Sequence, residues 1–202
     1  MKEPIERVIT NILKSIYQPF LFAIVISFLI VFLTMYLEKY QGMKWKEQFK
    51  QALLAWKTKF VRSKKTRRIF YFSFITTLIL FKTLFSREMW LNPLTDVLGV
   101  WGLYKKNGQF TTEIFENILL FIPFVLFFFL FLETTTKRTF RFLKIIGESI
   151  VVSFVFSLAI ETLQLFLRLG TWQLSDLCFN TLGGVVGGLL YWISVKIRRK
   201  KL

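Results

Sequence analysis

The last third of the chain carries a compact group of polar side chains inside an otherwise apolar stretch. The group consists of two carboxylates, two amides and a guanidinium, supplied by Glu161, Gln164, Arg168, Asp176 and Asn180. Carboxylates with amides are ligands for a hard cation such as Ca²⁺ or Mg²⁺, and a pair of carboxylates could perform acid–base chemistry. A guanidinium binds a phosphate or carboxylate group. The residue types alone leave these three chemistries open.

Helical spacing predicts that this group converges. Glu161, Gln164 and Arg168 follow the i, i+3, i+7 pattern and are expected to share one helix face. Asp176 and Asn180 lie one helical turn apart at the start of the next apolar run. We therefore expect two neighbouring helices to present these side chains to each other.

The elements that must hold these residues are membrane-spanning helices. Of the 202 residues, 54% are hydrophobic and 25 are Phe, a composition typical of an integral membrane protein. About 20 apolar residues in a helix span the hydrocarbon of a bilayer. The sequence predicts an all-α, polytopic bundle with about five transmembrane helices, at residues 19–37, 69–86, 115–132, 145–167 and 177–195. In the last of these, glycines repeat at i, i+4 and predict close packing of neighbouring helices.

The distribution of Lys and Arg predicts the orientation of the bundle, because cytoplasmic connections carry an excess of both. Residues 38–68 carry eleven of them, residues 133–144 carry four and the tail after residue 195 carries five. The connections on the other side carry seven in total. We therefore expect the N-terminus outside the cell and the C-terminus in the cytoplasm.

Residues 38–68 combine many basic side chains with apolar ones. At helical spacing stand Trp45, Phe49, Leu53, Trp56 and Phe60. This pattern predicts a basic amphipathic helix on the cytoplasmic leaflet, with anionic membrane lipids as its partner. The alternative is a solvated linker with scattered aromatic residues.

The predicted topology places the polar group at one depth. Glu161 lies about six residues, roughly 9 Å, below the outer end of its helix. Neighbouring helices bring Glu116, Asn117 and Lys82 to the same outer half. Ionisable groups in lipid normally have partners, so we expect Arg168 and Lys82 to pair with Glu161, or else to bind a phosphate or carboxylate of a lipid-linked ligand. These residues are predicted to line one outward-open site, although hydrogen bonds of this kind also fasten helices together.

The sequence lacks the residues that several classes of function require. The chain has no His, which excludes His-based catalytic triads and His-ligated zinc. The basic runs lack a motif that recognises DNA or RNA, so nucleic acid is not expected as a partner. No nucleophile next to a base can be named, so the sequence leaves open whether any reaction is catalysed. It predicts no cofactor, names no metal-ligand set and does not indicate the oligomeric state.

Three motifs resemble those of the VanZ-like family of bacterial membrane proteins. They are ENILLFIPF at 116–124, IETLQ at 160–164 and DLCFNTLGG at 176–184, and REMWLNPL at 87–94 is similar to a further outer segment of that family. The resemblance covers roughly residues 70–195. It implies a VanZ-like transmembrane domain at 69–202, preceded by residues 1–68 with an extra transmembrane helix and the basic segment.

The resemblance also implies positions and a setting. The family's polar and glycine positions are occupied by Asn117, Pro123, Glu161, Gln164, Asp176, Asn180 and Gly184. Between Gly170 and Asp176 this sequence has Thr171, Gln173 and Ser175 where the family usually has an Arg and further acids, which weakens a metal-binding interpretation. The family's founding member is associated with resistance to the lipoglycopeptide teicoplanin. The resemblance thus implies a multi-pass protein of a bacterial plasma membrane, acting at the outer face of a Gram-positive cell envelope.

Two classes of function follow. In the first, the protein binds or modifies a lipid-linked or cell-wall ligand, or a lipoglycopeptide, at the outer leaflet and lowers lipoglycopeptide susceptibility. In the second it is a small transporter or channel, which would need polar groups through the inner half or broken helices at the midplane. The inner halves consist of Phe, Leu, Ile and Val apart from Glu148 and the glycine pairs, and this favours the first class. A membrane scaffold without a ligand site is a third option.

Overall fold

The computed structural model describes residues 6, 9–11, 13–14, 17–39, 44–85, 87–105, 107–136 and 141–200. The predictions that concern other residues, including Lys106, lie outside this description. Among the described residues the structure delimits six α-helices: α1 Phe20–Lys39, α2 Trp45–Arg62, α3 Lys64–Leu80, α4 Glu113–Thr136, α5 Phe142–Leu167 and α6 Leu174–Lys200. A π-helical turn, Phe81–Phe85, continues α3.

Five of these helices are long and apolar enough to cross a membrane, which confirms the predicted all-α bundle. The spans are Phe20–Leu37, Lys64–Phe85, Glu113–Thr136, Phe142–Leu167 and Leu174–Arg199. Four of them extend beyond the predicted apolar runs by several residues, because charged and polar residues at the membrane interface continue a helix without interrupting its backbone hydrogen bonds. Within the described residues there is no β-strand, only two isolated bridges.

The glycine pairs of α6 pack against two different helices. A Cβ atom at Gly183 or Gly187 would overlap a backbone carbonyl oxygen of α4, at Ile118 and Ile122 respectively. These two glycines therefore allow α4 and α6 to approach to backbone contact, as the i, i+4 repeat predicts. They fix the position of Asp176, about two and three turns earlier on α6, relative to the start of α4.

The other pair, Gly184 and Gly188, faces a row of serines on α5. A Cβ atom at either position would overlap the hydroxyl of Ser153 or Ser149. These serines and Ser157, one turn further along α5, are fully buried. Small residues on both helices thus hold α5 and α6 close together.

Helix α2 packs on α1 and α3 through aromatic side chains. The ring of Phe28 lies 4.8 Å from that of Trp56 and 5.6 Å from that of Phe60, and Phe32 lies 5.3 Å from Phe49. Residues Trp45–Arg62 are helical, and part of their aromatic face contacts the protein. The location of α2 on a leaflet stays a prediction.

The connection between α3 and α4 runs along the connection between α5 and α6. The N–H of Trp90 donates to the carbonyl of Arg168 at 2.7 Å, and the N–H of Leu174 donates to the carbonyl of Val97 at 2.8 Å. Further along, Tyr104 and Phe110 form an antiparallel bridge that closes a short hairpin. The end of the bundle that carries residues 87–112 and 168–173 is called the loop end below.

The opposite end of the bundle is held by a charged cluster. Glu133 of α4 pairs with Arg68 of α3 at 3.3 Å and with Arg198 of α6 at 3.2 Å. Since these residues belong to three helices, the cluster fixes the bundle at the end remote from the candidate site.

Candidate functional site

A cavity of about 690 Å³ lies at the loop end. Its volume is in the range that binds small molecules. Charged side chains of both signs line it: the cations are Lys14, Lys82, Arg87 and Lys105, and the carboxylates are Asp96, Glu113, Glu116 and Asp176. The lining is therefore highly charged and nearly balanced in sign.

Three ion pairs hold the wall of this cavity. Arg87 approaches Asp176 at 3.3 Å, Lys105 approaches Glu113 at 2.6 Å, and Lys82 pairs with Glu116. In each pair the cation comes from the π-helical turn after α3 or from the loop that follows it. Each carboxylate belongs to the first turns of α4 or α6, where the helix dipole favours negative charge.

Asp176 is the most buried carboxylate of the lining. Its side chain is 8% exposed, against 30% for Arg87. One carboxylate oxygen accepts from Arg87, and the other accepts from the Asn117 amide at 2.8 Å. Gly170 lies against Arg87, where a Cβ atom would come within 3.0 Å of the guanidinium and of Cδ. The positive φ of Gly170, 75°, is a second reason for glycine at this position.

Glu161 lies behind the cavity. It is 2% exposed, and its carboxylate accepts a hydrogen bond from the backbone N–H of Gln173 at 3.0 Å. The predicted partners are wrong, because Lys82 pairs with Glu116 instead. The π-helical turn explains the difference, since its extra residue changes the face on which Lys82 emerges.

Arg168 does not join the group, and this also corrects the prediction. Helix α5 ends at Leu167, and Arg168 is exposed in the left-handed conformation with φ 54°. The i, i+7 spacing from Glu161 therefore no longer corresponds to a shared face. Arg87, which comes from the loop after α3, supplies the guanidinium at the cavity.

The two remaining predicted residues tie helices together below the cavity. The Gln164 amide donates to the carbonyl of Thr83 in the π-helical turn at 2.7 Å. The Asn180 amide donates to the hydroxyl of Ser157 at 2.8 Å. The polar group thus forms two layers. Its cavity layer contains Lys82, Glu116, Asn117 and Asp176, and its buried layer contains Glu161, Gln164 and Asn180.

Two buried oxygens in this region have no hydrogen-bond partner in the described part of the chain. They are Oε1 of Gln164 and the hydroxyl of Ser153. Such a group is costly to bury.

A chain of hydrogen bonds that the sequence did not reveal connects the cavity to the N-terminal stretch. The Asn11 amide donates to the hydroxyl of Thr112 at 2.8 Å. Thr112 in turn donates to Glu116, which also pairs with Lys82. The only signal in the sequence is the four-residue spacing of Thr112 and Glu116, which by itself is too common to identify a site.

The hard-cation option lacks a ligand set among the residues that the structure describes. Within them no three His, Cys, Asp or Glu side chains lie close enough to hold a metal ion. Each of Glu113, Glu116 and Asp176 is instead engaged by a cation.

Comparison with known proteins identifies one family. The family model described as VanZ/LLP1 matches residues 20–195. The match includes the cavity layer, the buried layer and also α1 and α2. Searches among curated proteins and among solved structures found no match.

Proposed function

The chain belongs to the VanZ/LLP1 family, and we propose that it acts at the outer leaflet of a bacterial plasma membrane on a lipid-linked or cell-wall ligand. In this proposal the loop end faces outward, and binding at the cavity lowers susceptibility to teicoplanin and related lipoglycopeptides. The N-terminus is then external and the C-terminus cytoplasmic.

The observation that carries the proposal is the charged cavity at one end of a bundle of membrane-spanning helices. Its volume, about 690 Å³, suits a headgroup or a sugar-sized group. A ligand that enters it meets four cations and four carboxylates within one wall. The excess of Lys and Arg in 38–68, 133–144 and the tail after residue 195 supports an outward-facing cavity, since such residues favour the cytoplasmic side.

The packing below the cavity supports this function over transport. A polar path between α5 and α6 would follow the buried serines that continue from Ser157 to Ser149. Gly184 and Gly188 contact that row so closely that even a Cβ atom would overlap it. The serine row therefore supports helix packing, and the ligand-binding role falls to the cavity layer.

A matched pair of variants tests the proposal. Glu113 and Glu148 are both half-exposed glutamates paired with a lysine, at 2.6 Å with Lys105 and at 3.7 Å with Lys144. Glu113 lines the cavity, whereas Glu148 lies towards the opposite end. We expect Glu113→Gln to lower teicoplanin tolerance of a susceptible Gram-positive host that expresses the protein, and Glu148→Gln to leave tolerance unchanged.

The measurement is the minimum inhibitory concentration at equal amounts of membrane-inserted protein. Asp176→Asn serves as a second cavity variant, and Glu161→Gln probes the buried layer. If Glu113→Gln and Asp176→Asn both retain the tolerance of the wild type, the cavity has no such role. If the wild type itself confers no tolerance, the link to lipoglycopeptides is refuted.

A further inference from the structure

An apolar groove adjoins the charged cavity. Its volume is about 890 Å³, and it is lined by Thr10, Leu13, Lys14, Tyr17, Gln18 and Phe20. Lys14 and Gln18 line the cavity as well. The two spaces therefore share a border, and a ligand could occupy both at once.

The groove lies where the chain enters the first spanning helix. Phe20 begins α1, so the groove lies at the membrane interface of the loop end. Its apolar side chains are open, with Tyr17 84% and Leu13 60% exposed. The hydrogen bond from Asn11 to Thr112 attaches this stretch to the cavity wall and keeps the two spaces together.

Lys14 lies at the border between the groove and the cavity, where its ammonium group is available to a ligand. The other lining cations, Lys82, Arg87 and Lys105, each pair with a carboxylate. Among the residues that the structure describes, Lys14 forms no ion pair. An ammonium group at the junction of an apolar and a polar space favours an anion attached to an apolar chain.

We propose that the cavity and the groove together bind one phosphate-bearing amphiphile. Its hydrocarbon chain lies in the groove, its phosphate contacts Lys14, and the rest of its headgroup lies in the charged cavity. The inference rests on the proposed function, because it names the ligand class of the same site. A glycerophospholipid and a polyprenyl phosphate share this chemistry, since in both the phosphate lies near the apolar chain.

The order of groups along such a molecule matches the order along the site. Apolar side chains come first, then the ammonium of Lys14, then a lining with three further cations and four carboxylates. Burial of the chain supplies affinity in proportion to its area. The charge-assisted contact with Lys14 supplies selectivity for phosphate.

Binding to the purified full-length protein in a non-ionic detergent tests the inference, with native mass spectrometry as the assay. Four probes separate the contributions: a lysophosphatidylethanolamine, a polyprenyl phosphate, a monoacylglycerol without phosphate, and phosphoethanolamine without a chain. We expect at least one of the first two to bind about tenfold more tightly than the monoacylglycerol, the difference expected for one charge-assisted contact. It should also bind more tightly than phosphoethanolamine, which lacks the chain whose burial supplies affinity. Which of the first two binds identifies the source of the phosphate.

Lys14→Gln should weaken phosphate-amphiphile binding about tenfold and leave monoacylglycerol binding unchanged. Lys64→Gln is the control, because Lys64 is an exposed lysine at the far end of α3. Leu13→Gln should weaken every probe that has a chain. A melting temperature measured in the same detergent verifies that each variant is folded.

Equal binding by wild type and Lys14→Gln would overturn the inference, and so would a monoacylglycerol that binds as tightly as the phosphate amphiphiles. These outcomes are separable from failure of the proposed function. If Lys14→Gln loses binding but retains teicoplanin tolerance, the amphiphile site stands and its link to tolerance is refuted. If Glu113→Gln loses tolerance while Lys14→Gln binds normally, the cavity has its role and the amphiphile assignment is wrong.

Discussion

The pair formed by Arg87 and Asp176 should respond asymmetrically to truncation. Arg87→Met leaves the Asp176 carboxylate, 8% exposed, with the Asn117 amide as its one remaining hydrogen-bond partner among the residues that the structure describes. Removing one partner of a buried ion pair costs about 3–5 kcal/mol. We expect the lower end of that range, about 3 kcal/mol, because Asp176 lines a cavity that admits water.

Asp176→Asn should cost less. The new amide oxygen can still accept from Asn117, and Arg87, at 30% exposure, can be hydrated. The loss is then comparable to one or two ordinary hydrogen bonds, about 1–2 kcal/mol. The double variant leaves neither an unpaired guanidinium nor an unpaired carboxylate. Its loss of unfolding free energy should therefore be smaller than the sum of the losses in the two single variants. We expect a coupling energy of about 1–3 kcal/mol.

Equilibrium unfolding in mixed micelles, followed by the fluorescence of the six Trp residues, measures the change in unfolding free energy for each single variant and for the double variant. The exposed pair of Lys144 and Glu148 is the control, and its disruption should cost about 0.5 kcal/mol or less. The reasoning fails if Asp176→Asn destabilises more than Arg87→Met, or if the double variant equals the sum of the single ones.

Three further predictions concern the packing, the orientation and the basic helix. Gly184→Ala should lower the free energy of unfolding by about 1–3 kcal/mol, because its new Cβ overlaps Ser153. Gly147→Ala is the control: its new Cβ meets no atom within 4 Å, so it should be neutral or slightly stabilising in the same unfolding assay. A C-terminal fusion to green fluorescent protein should fluoresce, and a reporter inserted near Lys106 should be extracellular. Cleavage of the 38–68 segment by protease added to intact cells would contradict the orientation. Replacement of Trp45, Phe49, Trp56 and Phe60 by Ser should reduce the affinity of residues 38–68 for anionic vesicles and leave the five spans inserted. If the affinity of the wild-type segment for these vesicles does not fall as salt is added, electrostatic attraction does not contribute to it.

The spans could be predicted because a helix in lipid must bury all its backbone polar groups and cover itself with apolar side chains. The ends of these helices were predicted less accurately. Helix α4 begins at Glu113 in place of residue 115, since a carboxylate in the first turn is favourable at an interface. The i, i+4 glycine repeat predicted close helix packing. It did not predict that Gly183 contacts α4 and that Gly184 contacts α5, which the structure shows.

The sequence predicted a polar group at one depth, whereas the structure divides it into the cavity layer and the buried layer, and its pairing was not predictable either. Helical periodicity assumes an uninterrupted α-helix, and two local departures break that assumption. The π-helical turn Phe81–Phe85 changes the direction of Lys82, and the left-handed conformation of Arg168 ends α5 before its guanidinium can share a face with Glu161. Neither departure has a strong signal in the sequence, because no proline or glycine occupies either position.

The backbone hydrogen bonds between the two connections at the loop end set an order for biogenesis. Trp90 and Arg168, which these bonds join, are separated by roughly 80 residues, and synthesis at about 5–20 residues per second makes the second available some 4–16 s after the first. Lys82 is already in the chain when that interval begins and Glu116 is added during it, whereas Asp176 is added only afterwards. The cavity wall is thus completed only when the last hairpin of helices inserts, and a ribosome that stalls before α6 would leave Arg87 without its carboxylate.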